Sequence, residues 1–188
     1  MFRRLPCKKG GFYVSIDQGK RGDDFALLMR AKTGSIVFCD EKGGWAPVAT
    51  KLAYPNGLYI SPKGRYLYAS TTRQHQVFKY SIKSDGNLIN REKVARVVGG
   101  DNIRLGQNKE LLIPAHLNVL KLVGHSKDST KLSPSVVYGL HTENGEKQVL
   151  YSNEGKQISA ASTAVSYKGN IYVSQVFQPY ILQIKRKK

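Results

Sequence analysis

Short apolar runs separated by turns rich in Gly, Asn, Asp and Lys dominate the pattern along this chain. Runs such as residues 65–69 and 170–174 have the length and the aromatic and β-branched content of strands. Few stretches show helical periodicity. The best helix candidate is residues 23–30, which begin with two acidic side chains and are brief. The pattern therefore predicts an all-β fold.

A unit of two paired strands recurs four times, and its copies are spaced by roughly 50 residues, the range of β-propeller blades. The paired segments are residues 11–15 with 35–39, 65–69 with 77–80, 110–114 with 119–122, and 170–174 with 181–184. Residues 1–188 have the length of one domain. We therefore expect a single domain with four antiparallel, blade-like sheets.

Residues 54–69 show the pattern of a blade most clearly. An Asn-Gly turn leads into a short apolar strand, and a Ser-Pro-Lys-Gly turn leads into a second strand. Asn56 then stands at the turn before an inner strand, where its amide oxygen could face a cation on the central axis. A hard cation such as calcium takes about six to eight oxygen ligands, so several blades would have to contribute. The alternative is that Asn56 makes an ordinary Asx turn at a strand end.

The composition is strongly basic, with 30 Lys and Arg against 13 Asp and Glu and a formal net charge of +17. Such a charge favours polyanionic partners. The basic residues are nevertheless scattered through turns and outer strands, apart from the tail 185–188, and no nucleic-acid-binding motif is present. Nucleic acid is therefore disfavoured as the main partner, and an anionic lipid surface or an acidic protein is an equal alternative.

Other features bear on the compartment. No run of eighteen apolar residues predicts a membrane-spanning helix. The first ten residues are basic without a following apolar stretch, so they do not form a complete signal peptide. Cys39 lies in the apolar run 35–39, which predicts a buried free thiol, and a disulfide with Cys7 is the alternative.

Four segments resemble those of the paraoxonase-type arylesterases and of the wider gluconolactonase-like and strictosidine-synthase-like propellers. The segments are residues 54–57 with 60–64, 100–103, 113–118, and 162–169 with 176–177. The resemblance implies a six-bladed propeller that holds calcium on its axis and hydrolyses esters or lactones. It covers nearly all of this chain but only about the second half of a family member. We therefore expect a partial propeller of about four blades.

The resemblance also implies roles for individual residues. Asn56, Asp101 and Asn102 match oxygen ligands of the catalytic calcium, and Asp17 matches a ligand of a second, structural calcium. Carboxylate and amide oxygens from several blades suit calcium and suit zinc poorly. The alternative for Asn102, as for Asn56, is an Asx turn.

The four histidines comprise one candidate for chemistry, one expected to be structural and two expected on the surface. His116 follows an inner strand, where it could face the axial cavity and act as a proton shuttle or bind a substrate carbonyl, or it could be structural. We expect His75, which precedes the strand at residues 77–80, to be a packed structural residue. His125 and His141 are expected on the surface.

The chain departs from the family pattern at several positions. The family places an Asn ligand immediately before the residue that matches Asp17 and a His after it, whereas this sequence has Ile16 and Gln18. A terminal cysteine of the family matches Gln183. Family members also take a Glu-Asp pair and a His-His dyad from earlier blades, which this chain does not contain.

The sequence therefore supports two functions of different kinds. The first is a calcium-dependent hydrolase of small aryl esters or lactones, which we expect to be weakly active in this chain. The second is a non-catalytic propeller module that binds a protein or an anionic membrane surface. The compartment is not set by the sequence, and the resemblance allows an extracellular or membrane-associated location.

Overall fold

Four antiparallel β-sheets form the fold, as the recurring strand pairs predicted. A computed structural model of the chain describes residues 3–6, 10–17 and 29–186. The first sheet comprises β1 (Arg3–Pro6), β2 (Phe12–Ile16), β3 (Gly34–Cys39) and β4 (Trp45–Leu52). The second comprises β5 (Pro55–Ile60), β6 (Tyr66–Thr71), β7 (Gln76–Ile82) and β8 (Leu88–Arg96). The third comprises β9 (Arg104–Leu105), β10 (Leu111–His116), β11 (Ser135–Leu140) and β12 (Lys147–Asn153). The fourth comprises β13 (Ala161–Tyr167), β14 (Asn170–Gln175) and β15 (Ile181–Lys185).

Within each sheet the strands lie side by side in the order of the sequence. The first strands of neighbouring sheets contact one another, β1 with β5 and β9 with β13. These first strands therefore form a common inner edge, and the later strands of each sheet lie progressively farther from it. This is the arrangement of blades in a partial β-propeller.

Tight turns connect the strands of the hairpins. The turn at residues 61–64 has the clearest turn sequence, Ser-Pro-Lys-Gly. Ser61 accepts the amide of Gly64 on its backbone oxygen at 2.8 Å and the amide of Tyr66 on its side-chain oxygen at 3.1 Å. Gly64 has φ of +70°, a left-handed conformation that a residue without Cβ adopts at little cost. The Ser-Pro-Lys-Gly sequence thus closes the β5–β6 hairpin locally.

Three hydrophobic clusters join consecutive sheets and form the core. Leu67 is fully buried between the first and second sheets, Ile113 between the second and third, and Ile171 between the third and fourth. Because strand residues alternate between faces, the apolar positions of one sheet meet those of the next. Burial of these side chains holds the blades in register around the inner edge.

One predicted strand is wrong. Residues 119–122 were expected to pair with residues 110–114, but they begin helix α1 (Val119–Lys127), and β10 pairs instead with β11. The side chain of Asn118 caps this helix by accepting the amide of Lys121 at 3.1 Å. A short apolar run has no periodicity that separates a strand from a helical turn, so the capping residue was the better signal.

Cys39 is a free, buried thiol, as its apolar surroundings predicted, and Cys7 lies outside the described residues. The predicted helix over residues 23–30 also falls almost entirely outside them. In the part of the chain that the structure describes, no helix is both long and apolar enough to cross a membrane.

Candidate functional site

The candidate site lies at the inner edge, where the second sheet meets the segment that leads into β9. The amide of Gly57, in β5, donates to the backbone oxygen of Asp101 at 3.1 Å. A Cβ atom at Gly57 would lie 2.4 Å from that oxygen and 2.6 Å from the amide nitrogen of Ile103. Only glycine permits this approach, so the Asn-Gly pair brings Asn56 to the segment of Asp101 and Asn102.

Asp101 and His116 form the central pair of the site. The backbone places them together, because the amide of Asp101 donates to Pro114 and the amide of His116 donates to Gly99, each at 2.9 Å. Their side chains then meet, with Nε2 of His116 at 3.1 Å from Oδ2 of Asp101. Each side chain is only 5% exposed. A metal-ligand candidate and the catalytic candidate are therefore in direct contact, which the sequence did not predict.

Asn102 is held by the fourth sheet. Its side-chain nitrogen donates to the backbone oxygen of Ser162 at 2.8 Å and to the hydroxyl oxygen of Ser162 at 3.1 Å. The nitrogen is thereby oriented, and the side-chain oxygen, Oδ1, is buried with no hydrogen-bond partner among the described residues. Such an oxygen is costly to bury and is a feature that needs an explanation, such as a ligand or an ion.

Two hydroxyl side chains that the sequence analysis passed over fix the backbone of this segment. Ser70, at the end of β6, donates to the backbone oxygen of Asp101 and accepts the amide of Gly57 at 2.9 Å. Thr72 donates to the backbone oxygen of Gly100 at 2.8 Å. The available signal was the run Ser70-Thr71-Thr72 at the end of an otherwise apolar strand, since buried hydroxyls require partners.

The remaining two metal candidates lie in different positions. Asn56 is half-buried in β5, and its backbone oxygen accepts the hydroxyl of Ser15 at 2.8 Å. Asp17 is buried just after β2 in the first sheet. A Cβ atom at Gly34 would lie 2.9 Å from the backbone oxygen of Asp17 and 2.4 Å from Cδ of Pro55. The backbone of Asp17 and the start of β5 therefore approach each other at Gly34.

The oxygen donors fit one part of a calcium site. Calcium takes carboxylate and neutral carbonyl oxygens in flexible geometry, and it needs about six to eight of them. Asp101 supplies a carboxylate, Asn102 supplies an oriented and unsatisfied amide oxygen, and Asn56 is the next candidate along the inner edge. The described residues contain no cluster of three or more His, Cys, Asp or Glu, so a site here would be rich in amide oxygens.

The prediction for His75 is confirmed, whereas the prediction for His125 is wrong. His75 is packed, as predicted, and its Nδ1 accepts the amide of Gly99 at 3.2 Å. His125, which was expected on the surface, is buried in helix α1. Its Nδ1 lies 2.6 Å from the backbone oxygen of Lys131, and its ring packs edge-on against Phe177. The expectation was wrong because the helix that positions His125 was taken for a strand.

Comparison with known proteins establishes the family of the chain. Residues 25–182 match the model of the protein family described as Arylesterase. The chain belongs to the arylesterase family. A 132-residue stretch is 24% identical to human serum paraoxonase/arylesterase 1 and covers 69% of this chain but 37% of the human protein. This member of the arylesterase family therefore spans well under half the length of the curated relative that it matches.

The fold of this arylesterase-family chain is shared with solved structures of low sequence identity. The calcium-binding protein regucalcin from Agrobacterium tumefaciens superimposes with a TM-score of 0.63 at 12% identity, covering 99% of this chain and 60% of that protein. A gluconolactonase from Xanthomonas campestris superimposes with a TM-score of 0.61 at 17% identity, covering 98% and 56% respectively. At these identities the likeness concerns the fold alone.

Proposed function

We propose that this chain carries part of the active site of a calcium-dependent hydrolase that acts on aryl esters or lactones. Membership of the arylesterase family supports the reaction class. The observation that carries the proposal is the arrangement of Asp101, Asn102 and His116. A buried carboxylate contacts a histidine, and the adjacent buried amide oxygen has no described hydrogen-bond partner.

Asp101, Asn102 and Asn56 would hold the calcium ion in this proposal. When bound, calcium would polarise the substrate carbonyl and stabilise negative charge on its oxygen. Ser162 orients Asn102 for this role, and Ser70 fixes the backbone of Asp101. Asp17 would act separately, in the first sheet.

His116 would move the proton. Its Nε2–H donates to the carboxylate of Asp101, so the neutral ring carries its lone pair on Nδ1 and can accept a proton from a water molecule there. Nδ1 is buried without a described hydrogen-bond partner, so water reaches it only if a neighbouring group moves. Together with the small number of oxygen donors described, this supports a low rate of hydrolysis by this chain.

The proposal is tested by calcium titration calorimetry and by hydrolysis of phenyl acetate and a simple lactone, with calcium and then with chelator. Asp101→Asn keeps the size of the side chain and an oxygen that can accept from His116, but it removes the charge. We expect calcium affinity to fall by about 10- to 100-fold, the range seen even for outer-shell partners of metal sites. Asp128→Asn is the matched control, because the carboxylate of Asp128, at the end of helix α1, is 42% exposed.

Each result separates the proposal from its rival. A chelator-sensitive rate that Asp101→Asn removes and Asp128→Asn keeps supports the hydrolase. Calcium binding without turnover favours the non-catalytic propeller module. The absence of calcium binding to the folded chain contradicts the proposed metal site.

A further inference from the structure

A cavity of about 480 Å³ beside the candidate site has three arginines, Arg30, Arg73 and Arg96, in its wall. His75, His116, Val98 and residues 117–120 at the start of helix α1 complete the lining. We call it the arginine cavity. Its volume lies within the range of small-molecule sites, about 300–1,000 Å³.

A second cavity, of about 600 Å³, adjoins the first and shares Arg30 and Arg73 with it. Lys32, Arg91 and Lys93 also line it. Six Lys and Arg side chains therefore surround the two cavities, and no described Asp or Glu lines either. This concentration of charge lies in one groove, in contrast to the scattered basic residues that the sequence suggested.

The acidic residue next to Arg91 and Lys93 in the sequence forms an ion pair outside the two cavities. Glu92 lies between Arg91 and Lys93 on β8, but its carboxylate pairs with Lys79 at 2.9 Å. Successive side chains of a strand point to opposite faces, so Glu92 faces away from the side that carries its two basic neighbours. The guanidinium carbon of Arg91 lies 5.4 Å from the centre of the Phe78 ring. Phe78 also lines the second cavity.

The basic groups of the arginine cavity repel one another. Burial, followed by the charges of Arg30, Arg73 and Arg96, lowers the pKa of His75. Burial and the charge of Arg30 also lower the pKa of Arg73. A bound anion would relieve this repulsion, because an opposite charge nearby favours the charged form of each group. Since Nδ1 of His75 accepts from Gly99, the neutral ring carries its hydrogen on Nε2, a further donor.

We propose that the arginine cavity and the cavity that adjoins it form a binding site for a small ligand that carries several phosphate groups. Arg side chains bind phosphate oxygens in pairs, through a planar fork of N–H donors. The six Lys and Arg side chains of the two cavities carry more positive charge than a single phosphate or carboxylate can neutralise. A ligand here would lie beside His116 and would be distinct from the ester or lactone substrate.

The test uses inositol hexakisphosphate as a soluble probe in isothermal titration calorimetry at about 0.15 M salt, where long-range attraction is screened over roughly 8 Å. Arg30→Gln and Arg96→Gln each remove one cation of the arginine cavity. We expect each to weaken binding by about tenfold or more, the effect of losing a hydrogen bond to a charged group. Arg65→Gln is the control, since Arg65 is exposed at the β5–β6 turn and should leave the affinity unchanged.

A second arm identifies the source of the phosphates. Phosphatidylcholine vesicles with and without phosphatidylinositol bisphosphate are compared with the soluble probe, and binding to either that depends on Arg96 supports the site. Equal losses in Arg65→Gln and Arg96→Gln overturn it in favour of general charge attraction. Absence of saturable binding by the folded protein also overturns it. Random duplex DNA that binds more tightly with the same dependence on Arg96 would assign the groove to nucleic acid instead.

Discussion

The side-chain amide of Asn102 donates to the backbone oxygen of Ser162 at 2.8 Å and so joins two segments that lie sixty residues apart in the sequence. The bond links the segment that leads into β9 to the first strand of the fourth sheet. Because the side-chain nitrogen of Asn102 makes this bond, the amide is held in one orientation. Its oxygen, Oδ1, is buried without a described hydrogen-bond partner. A structural contact between blades thereby orients a candidate metal ligand.

Replacing Asn102 by Ala should affect both stability and calcium binding. The variant removes the two bonds from the side-chain nitrogen to Ser162, while the backbone amide of residue 102 still donates to the backbone oxygen of Ser162. We expect the free energy of unfolding to fall by about 1–2 kcal/mol, since each net hydrogen bond contributes about 0.5–1.5 kcal/mol. Urea unfolding measures this loss. The exposed Asn144→Ala is the control and should change stability by no more than about 0.5 kcal/mol. Equal effects of the two variants would show that the contact with Ser162 contributes little.

His116→Gln separates chemistry from structure. The Gln side chain can still donate to Asp101, but it cannot accept a proton as imidazole does. We expect hydrolysis to fall by about 10²–10⁴-fold while calcium affinity is retained. His141→Gln, at a half-buried position away from the site, should keep the rate. An unchanged rate in His116→Gln would make this histidine structural.

The ion pair of Glu110 and Arg186 should hold the fourth sheet to the third. Nη1 of Arg186 lies 2.5 Å from Oε1 of Glu110, whose side chain is fully buried. Arg186→Met leaves that carboxylate unpaired, and we expect a loss of about 3–5 kcal/mol in the free energy of unfolding. The double variant Glu110→Met with Arg186→Met should recover most of it, as denaturant unfolding would show. A double variant as unstable as the single one would contradict a role for the unpaired charge.

His75 should make stability fall in acid. Burial and the nearby Arg30, Arg73 and Arg96 place its pKa below the ordinary value of 6.5. The folded state therefore binds the proton more weakly than the unfolded state. The stabilising contribution is complete above about pH 6.5 and is lost as the pH falls through the folded pKa.

The variant His75→Asn tests this dependence. Asn tolerates the φ of +58° at this position and offers an oxygen to the amide of Gly99, but it does not titrate. Melting temperatures at pH 8 and pH 5 should differ less for His75→Asn than for the wild type, whereas His141→Asn should keep the wild-type difference. Parallel pH profiles for the wild type and His75→Asn would show that His75 does not contribute.

Local patterns were enough to predict the sheets and most of their turns. The Ser-Pro-Lys-Gly turn before Tyr66 encodes its hairpin through contacts within five residues. The short run of aromatic and aliphatic residues in β6 predicts a strand, which is buried on both faces. The prediction of a strand at Val119 was wrong, because a short apolar run shows neither helical nor strand periodicity. The helix there begins at the N-cap residue Asn118.

The sequence by itself determined a repeated β-fold and proposed Asn56, Asp101, Asn102, Asp17 and His116 as functional residues. Only the tertiary structure decided which of them meet. Asp101 contacts His116 because their backbone amides donate to Pro114 and Gly99 and so align two segments. The side chain of Asn102 is oriented by Ser162, in a different sheet. The clustering of Arg30 and Arg96 around one cavity was likewise not predicted, because the basic residues are scattered along the sequence. Strand and turn preferences act over a few residues, whereas buried polar groups must find partners wherever packing brings the chain together.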